Sequence, residues 1–163
     1  MAFAESPDTG PVQPARSARK NLPRASRLLR HAEFDRVYKL GRRHFSTSMT
    51  VFYLQRNPAD RPAAAPVTTG GFRVGFTVSR ALGGAVQRNR MRRRLREAVR
   101  LCRPASELSV DIVINPRKAV LTTDFTALQQ EVVRAFKVIQ QKMPRSPENR
   151  DLRTENREPG TEN

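Results

Sequence analysis

The chain has 163 residues and a net charge of +16, and all but five of its 31 basic residues are arginine. Such a surface selects polyanionic partners, nucleic acid ahead of anionic membrane, because the planar guanidinium binds phosphate oxygens in pairs. No window approaches the roughly 18 consecutive apolar residues of a spanning helix, the N-terminus lacks the apolar core of a secretory signal, and the single Cys102 cannot close an internal disulfide, so a cytoplasmic protein is expected.

Residues 1–21 are rich in Pro, Ala, Ser and Arg, and residues 143–163 are polar to the end. Both hold too little apolar material to offset chain entropy, so they are expected to be disordered tails around one domain at 22–142. His31 to Leu40 predicts a short helix that stops before Gly41, with Phe34, Val37 and Tyr38 on one face. Residues 42–45 predict a short edge strand. Over 48–55 the pattern alternates, with Met49, Val51 and Tyr53 on one side and Thr50, Phe52 and Leu54 on the other. Residues 57–70, with three prolines, predict a long exposed loop. A second alternating strand is expected over 71–79. Phe72, Val74, Phe76 and Val78 would face the core there, with Arg73, Gly75, Thr77 and Ser79 on the open side.

Gly83 and Gly84 then turn the chain into its most unusual segment. Arg88 to Arg100 packs seven arginines and one acid into thirteen residues, yet Met91, Leu95, Ala98, Val99 and Cys102 recur at helical spacing. The remaining arc (Arg90, Arg92, Arg93, Arg94, Arg96, Arg100 and Arg103) is a continuous cationic surface. Like charges three and four apart destabilise a lone helix by a few tenths of a kcal/mol per pair, and a polyanion relieves that repulsion. A merely solvated helix would mix glutamate with lysine. Arg94 lies nearest the apolar stripe, where its stem can lie along the core. Asn89 can bond a sugar hydroxyl or phosphate, or equally cap the helix. A further strand is expected over Val110 to Asn115. The last helix carries Phe125, Leu128, Val132, Phe136 and Ile139 as its buried stripe, with Thr123 or Asp124 as cap. These elements describe an α+β domain, a small α/β sandwich in the order α-β-β-β-α-β-α, built on one mixed sheet.

The residues offer no independent active site. His31 and His44 are the only histidines and nothing in the sequence sets them beside a paired carboxylate. There is no His/Cys cluster at zinc spacing. Gly70-Gly71 and Gly83-Gly84 lack the longer glycine frame and the Lys-Ser or Lys-Thr of a phosphate-binding loop. A DNA-reading helix would carry mixed Asn, Gln and Ser for base edges rather than nearly all arginine, so neither DNA nor membrane is expected as a partner.

Arg73-Val-Gly-Phe-Thr-Val-Ser-Arg80, followed by Gly83-Gly84-Ala85-Val86, Arg88-Asn89-Arg90 and Arg92-Arg93-Arg94-Leu95-Arg96-Glu97, resembles the signature of the bacterial ribonuclease P protein subunit. Arg27-Leu28, Glu33-Phe34, Val37-Tyr38 and Gly41 are similar to that family's opening helix, and Asp111-Ile-Val-Ile114 with Arg117-Lys118 to its last strand and following loop. Asn115-Pro116 departs from the more apolar strand ending expected there. The resemblance covers residues 22–142 and leaves the tails unexplained.

That resemblance implies a subunit of ribonuclease P that joins a catalytic RNA and promotes endonucleolytic removal of the 5′ leader from precursor tRNA. The catalytic centre, and the Mg2+ ions at RNA phosphates, would belong to the RNA, with no cofactor held by the protein. Arg88, Asn89, Arg90, Arg92, Arg93, Arg96 and Arg100 would hold the RNA subunit. The implied second surface is an open aromatic cleft for the single-stranded leader, lined by Phe34, Tyr38, Thr50 and Phe52 with Arg73, Thr77 and Arg80 near its phosphates. The competing reading is a structural basic RNA-binding protein, such as a ribosomal protein, which would have no reason to keep open-faced rings.

Overall fold

The computed structural model describes residues 21–57, 71–104 and 108–143. The expected tails lie outside them apart from their inner residues, and so does nearly all of the loop at 57–70. Seven regular elements follow in chain order: α1 (His31–Leu40), β1 (Arg42–Phe45), β2 (Met49–Gln55), β3 (Phe72–Phe76), α2 (Ala85–Cys102), β4 (Val110–Pro116) and α3 (Phe125–Lys142). This is the order expected from the sequence. Single helical turns at Arg24–Ser26, Arg80–Leu82 and Lys118–Leu121 punctuate it.

The strands form one mixed sheet in the order β1-β2-β4-β3. The first two pairings are antiparallel, whereas β3 and β4 run parallel with α2 as the crossover between them. The placement of β4 between two strands follows from its composition. Val110, Asp111, Ile112, Val113 and Ile114 are all buried, because both faces of a central strand are covered. Its alternate residues serve two cores. Val110, Ile112 and Ile114 join Met49, Val51, Tyr53, Phe72 and Val74 beneath α2 and α3, where Met91, Leu95, Leu128, Val132 and Ile139 complete the larger core. Val113, on the other face, packs with Leu28 and Val37 under α1, flanked by half-buried Phe34, Tyr38, Phe52 and Leu54.

Local chemistry sets the helix ends. Asp124, one of the two expected caps, accepts a hydrogen bond from the Thr126 N–H at 2.9 Å and starts α3. In α1, Glu33 reaches back to the N–H groups of Leu29 and Arg30 at 3.1 and 3.2 Å, satisfying donors that the first turn would leave open.

Beyond one-residue shifts at the starts of β2 and β3, three boundaries differ from the sequence reading. β3 ends at Phe76 rather than 79, because after the Thr77 N–H bonds to the Ile114 carbonyl the chain turns away, and the Ser79 side chain caps the Arg80–Leu82 turn. Thr77 is thus an exposed residue beyond the strand. At the other sheet end, β4 continues through Asn115 to Pro116, which stands opposite Met49 as the last pair, a position where proline's missing N–H costs no interior ladder bond. Met143, read as the first residue of the tail, is 7% exposed and belongs to the larger core.

Candidate nucleic-acid interfaces

The sheet separates two surfaces of opposite character. On one side, α2 buries Met91, Leu95, Ala98 and Val99 and turns its arginines outward. Arg90, Arg93 and Asn89 are exposed, while Arg88, Arg92, Arg96 and Arg100 are half-buried. The first turn of α2 carries no acidic residue and no side-chain cap. Its open N–H groups and macrodipole therefore add to the arginine charge instead of offsetting it, which suits an anion.

Individual residues on this helix divide by their bonds. Arg94 donates to the carbonyls of Leu121 and Thr123, tying α2 to the segment before α3, so it acts in the scaffold as its place near the stripe suggested. Arg100 is engaged by Glu97 one turn back, with its Nε 2.9 Å from the carboxylate. That hydrogen bond raises its pKa above the ordinary arginine value. Asn89 sits five residues inside the helix, whose cap position is Gly84, so the capping alternative is excluded. Its Oδ1 lies 3.4 Å from Arg92 Nη1 on the exposed face.

On the other side of the sheet, α1 leaves a partly covered aromatic surface. Tyr38 and Phe52 meet edge to face, 4.8 Å between centroids at 76°. The Tyr38 hydroxyl donates to Asn115 Oδ1 at 2.7 Å, which fixes the ring over the sheet. Phe34 lies apart from this pair, toward β3. A Cβ on Gly75 would stand 2.5 Å from the Phe34 ring, so only glycine lets that ring settle there. The rings are half-buried, each with one side packed and some surface left open.

The cations around these rings are not all those expected. Arg73 reaches the open face but is engaged internally: its Nε and Nη2 donate to both oxygens of Asp111 at 2.8 and 2.7 Å, and its Nη1 donates to Glu33 at 2.8 Å. A guanidinium committed in this way has little left for a phosphate. Burial disfavours its charge, but the hydrogen bonds and charge of Asp111, and then those of Glu33, outweigh burial and raise its pKa. Thr77 and Arg80 are exposed past the end of β3. Two arginines that the sequence reading did not place in the cleft stand beside its residues. Arg43 lies over Phe52, 5.5 Å from its centroid, and Arg117 Nη2 is 3.4 Å from Thr50 Oγ1. The antiparallel pairing Arg43↔Phe52 explains the first, and such a pairing is invisible in sequence until the partner strands are known.

Among the described residues, no group of three or more His, Cys, Asp or Glu side chains could hold a metal ion. His31 contacts a single carboxylate, Asp35 at 2.9 Å, as an exposed pair one helical turn apart. His44 has its pKa lowered by burial and then by Lys142, and its ring faces Ser46. No helix of the described residues is long and apolar enough to cross a membrane.

Residues 22–140 match the protein family described as Ribonuclease P. The chain is similar to the ribonuclease P protein component of Chloroflexus aggregans, with 39% identity over 117 residues, 71% of this chain and 78% of that one. The Chloroflexus aurantiacus protein is 41% identical over 112 residues, 68% of this chain and 75% of its own. In fold it resembles the Staphylococcus aureus RNase P protein, with a TM-score of 0.56 and 25% identity over 71% of this chain and 95% of that one.

Proposed function

Because the chain belongs to the ribonuclease P family, as the protein component of the endoribonuclease holoenzyme that processes the 5′ end of tRNA, we propose that its two surfaces hold two different RNAs at once. The exposed face of α2 takes the catalytic ribonuclease P RNA through Arg88, Asn89, Arg90, Arg92, Arg93 and Arg96. The open side of the sheet takes the single-stranded 5′ leader of precursor tRNA. The observation that carries this reading is the separation itself: the arginine face and the Tyr38–Phe52 pair lie on opposite sides of one sheet, so occupying one leaves the other accessible.

Each surface suits its proposed ligand. A preformed row of guanidinium groups neutralises several phosphates together and releases their counterions, giving strong, salt-sensitive binding that needs no sequence. Half-covered rings stack on any base, at about 1–3 kcal/mol per base, so leaders of varied sequence are accepted. Arg43 and Arg117, beside Phe52 and Thr50, are placed to meet the leader's phosphates. The protein's charge then lowers the repulsion between two polyanions, which otherwise calls for high magnesium. The Mg2+ ions that activate the attacking water are assigned to RNA phosphates, with the protein working in the cytoplasm as a positioning and screening subunit.

The test is cleavage of a precursor tRNA by a bacterial ribonuclease P RNA at low magnesium, with and without the full chain. Restoration of site-specific 5′ cleavage is expected. Binding of the RNA without improved cleavage would overturn the proposal.

A further inference from the structure

At one end of the sheet four charged groups close on themselves. Asp111, on β4, is 5% exposed, and parallel pairing sets it opposite Arg73 of β3. Arg73 grips it with two donors and turns a third onto Glu33 Oε1 of α1 at 2.8 Å. The other Glu33 oxygen accepts the N–H groups of Leu29 and Arg30, which stand just before the first turn of α1. Arg56, just past β2, completes the group, with Nε 3.5 Å from Asp111 and Nη2 donating to the Gly71 carbonyl at 2.6 Å.

Two cations and two carboxylates cancel, so this cluster offers no net charge to a phosphate. What it does offer is direction. Apolar packing of Val37 and Leu28 holds α1 on the sheet, and the Tyr38–Asn115 hydrogen bond ties down its second half. A three-pronged guanidinium anchored to a buried carboxylate fixes the point where the helix begins. Lysine carries its three donors on one nitrogen and lacks the planar fork that spans both carboxylates. Phe34 follows Glu33 directly, its ring rests on Gly75 two residues after Arg73, and Tyr38 lies one turn further on. Rotation of α1 about its axis would move both rings relative to Phe52.

We infer that the Asp111–Arg73–Glu33 chain is the positioning device of the aromatic cleft, setting the rotation of α1 so that Phe34 and Tyr38 present their rings to a leader. The inference rests on the leader reading above. Glu33 and Arg73 are positioning residues here, acting through Phe34 and Tyr38 without touching RNA themselves.

The experiment uses the reconstituted holoenzyme and measures three affinities: protein for the RNA subunit, holoenzyme for precursor tRNA, and holoenzyme for leaderless tRNA. Glu33→Gln should leave RNA-subunit affinity unchanged and lower the preference for precursor over leaderless tRNA by roughly threefold to tenfold. Phe34→Ala should lower that preference by roughly tenfold. The double variant should lose less than the product of the two single losses, because part of the Glu33 effect passes through that ring. Multiplying losses would overturn the inference, as would an unchanged preference in Glu33→Gln while Phe34→Ala loses it; both results leave the leader reading standing. No loss in Phe34→Ala would overturn the inference, and no loss on replacing Tyr38 and Phe52 with alanine would sink the leader reading with it. Should Glu33→Gln fail to fold, Arg73→Lys keeps the charge, removes the fork and is expected to give the same loss, measured where circular dichroism shows a folded protein. A folded Arg73→Lys protein with full preference would overturn the inference.

Discussion

The two sides of the sheet handle arginine in opposite ways. On α2, Arg90 and Arg93 stand in solvent with no acidic partner among the described residues, next to a helix start that carries no acid. On the side of α1, Arg73 is neutralised inside the protein by Asp111 and Glu33, and rings rather than charges are left half uncovered. The contrast teaches that +16 is not spread as a uniform coat. Charge is left unneutralised where a duplex-like backbone can lie on a rigid helix, and is internally balanced where bases would be held by stacking. The two sides should therefore fail separately, with different salt dependence.

The largest effect is expected at α2. Replacing Arg90 and Arg93 together with alanine removes two exposed cations without touching the core. Affinity for the RNA subunit should fall on the order of a hundredfold, if each charged contact contributes roughly 1.5 kcal/mol. The slope of log affinity against log salt should shrink by about two units. Preference for precursor over leaderless tRNA, measured once assembly is saturated, should stay unchanged. A matching loss of preference would merge the two surfaces and break the comparison.

Truncating Phe52 and Tyr38 to alanine tests the other side. Loss of one stacked base predicts a fall of about tenfold in precursor preference, with the RNA-subunit affinity and its salt slope retained. Melting curves must show a folded variant, since both rings also support the smaller core. Gly75→Ala approaches the same surface from beneath. The added methyl would collide with the Phe34 ring, so a loss of about 1–3 kcal/mol in denaturant unfolding is expected, the ordinary cost of overpacking. Precursor preference should fall with it, while α2, on the far side of the sheet, keeps its RNA affinity.

Acid should weaken the α1 side through Glu33. Burial raises the Glu33 pKa, but the Arg30 N–H and the Arg73 charge outweigh it, and the folded value lies below the ordinary 4.5. A depressed carboxylate contributes stability that is fully present above its unfolded pKa and is lost as pH falls through the folded value. Unfolding followed from pH 7 downward should therefore show wild type losing stability below about pH 4.5, with Glu33→Gln less stable at neutrality and flatter in that range. An identical pH dependence in the two proteins would show that Glu33 carries no such stabilisation.

How much of this could be read from sequence depends on whether one element or two decide it. The span of α1 and the apolar stripe of α2 follow from periodicity within a single segment, and so does the alternation of β2, all of which stand as expected. The end of β3 depends on where β4 stops offering carbonyls, and the role of Arg73 depends on a parallel register that puts Asp111 opposite it. Neither is local, so a residue facing the right way was assigned to a phosphate when its partner was a carboxylate. Arg43 and Asn115 were missed for the same reason, since each meets its ring only across a strand or helix boundary.

Asn89 gives the smallest expected effect and a sharp test of this distinction. By sequence it served equally as a cap or as an RNA contact, and the helix start at Gly84 removes the first role. A cap replaced by alanine would cost about 1 kcal/mol. An exposed interior asparagine replaced by alanine should instead leave stability unchanged or raise it by a few tenths of a kcal/mol, because alanine is the better helix former. Asn89→Ala should therefore melt at or slightly above wild type while binding the RNA subunit less tightly. Its salt slope should be unaltered, since the amide is uncharged and displaces no counterion. A lower melting temperature with full RNA affinity would return Asn89 to the scaffold and leave the arginines alone to hold the RNA.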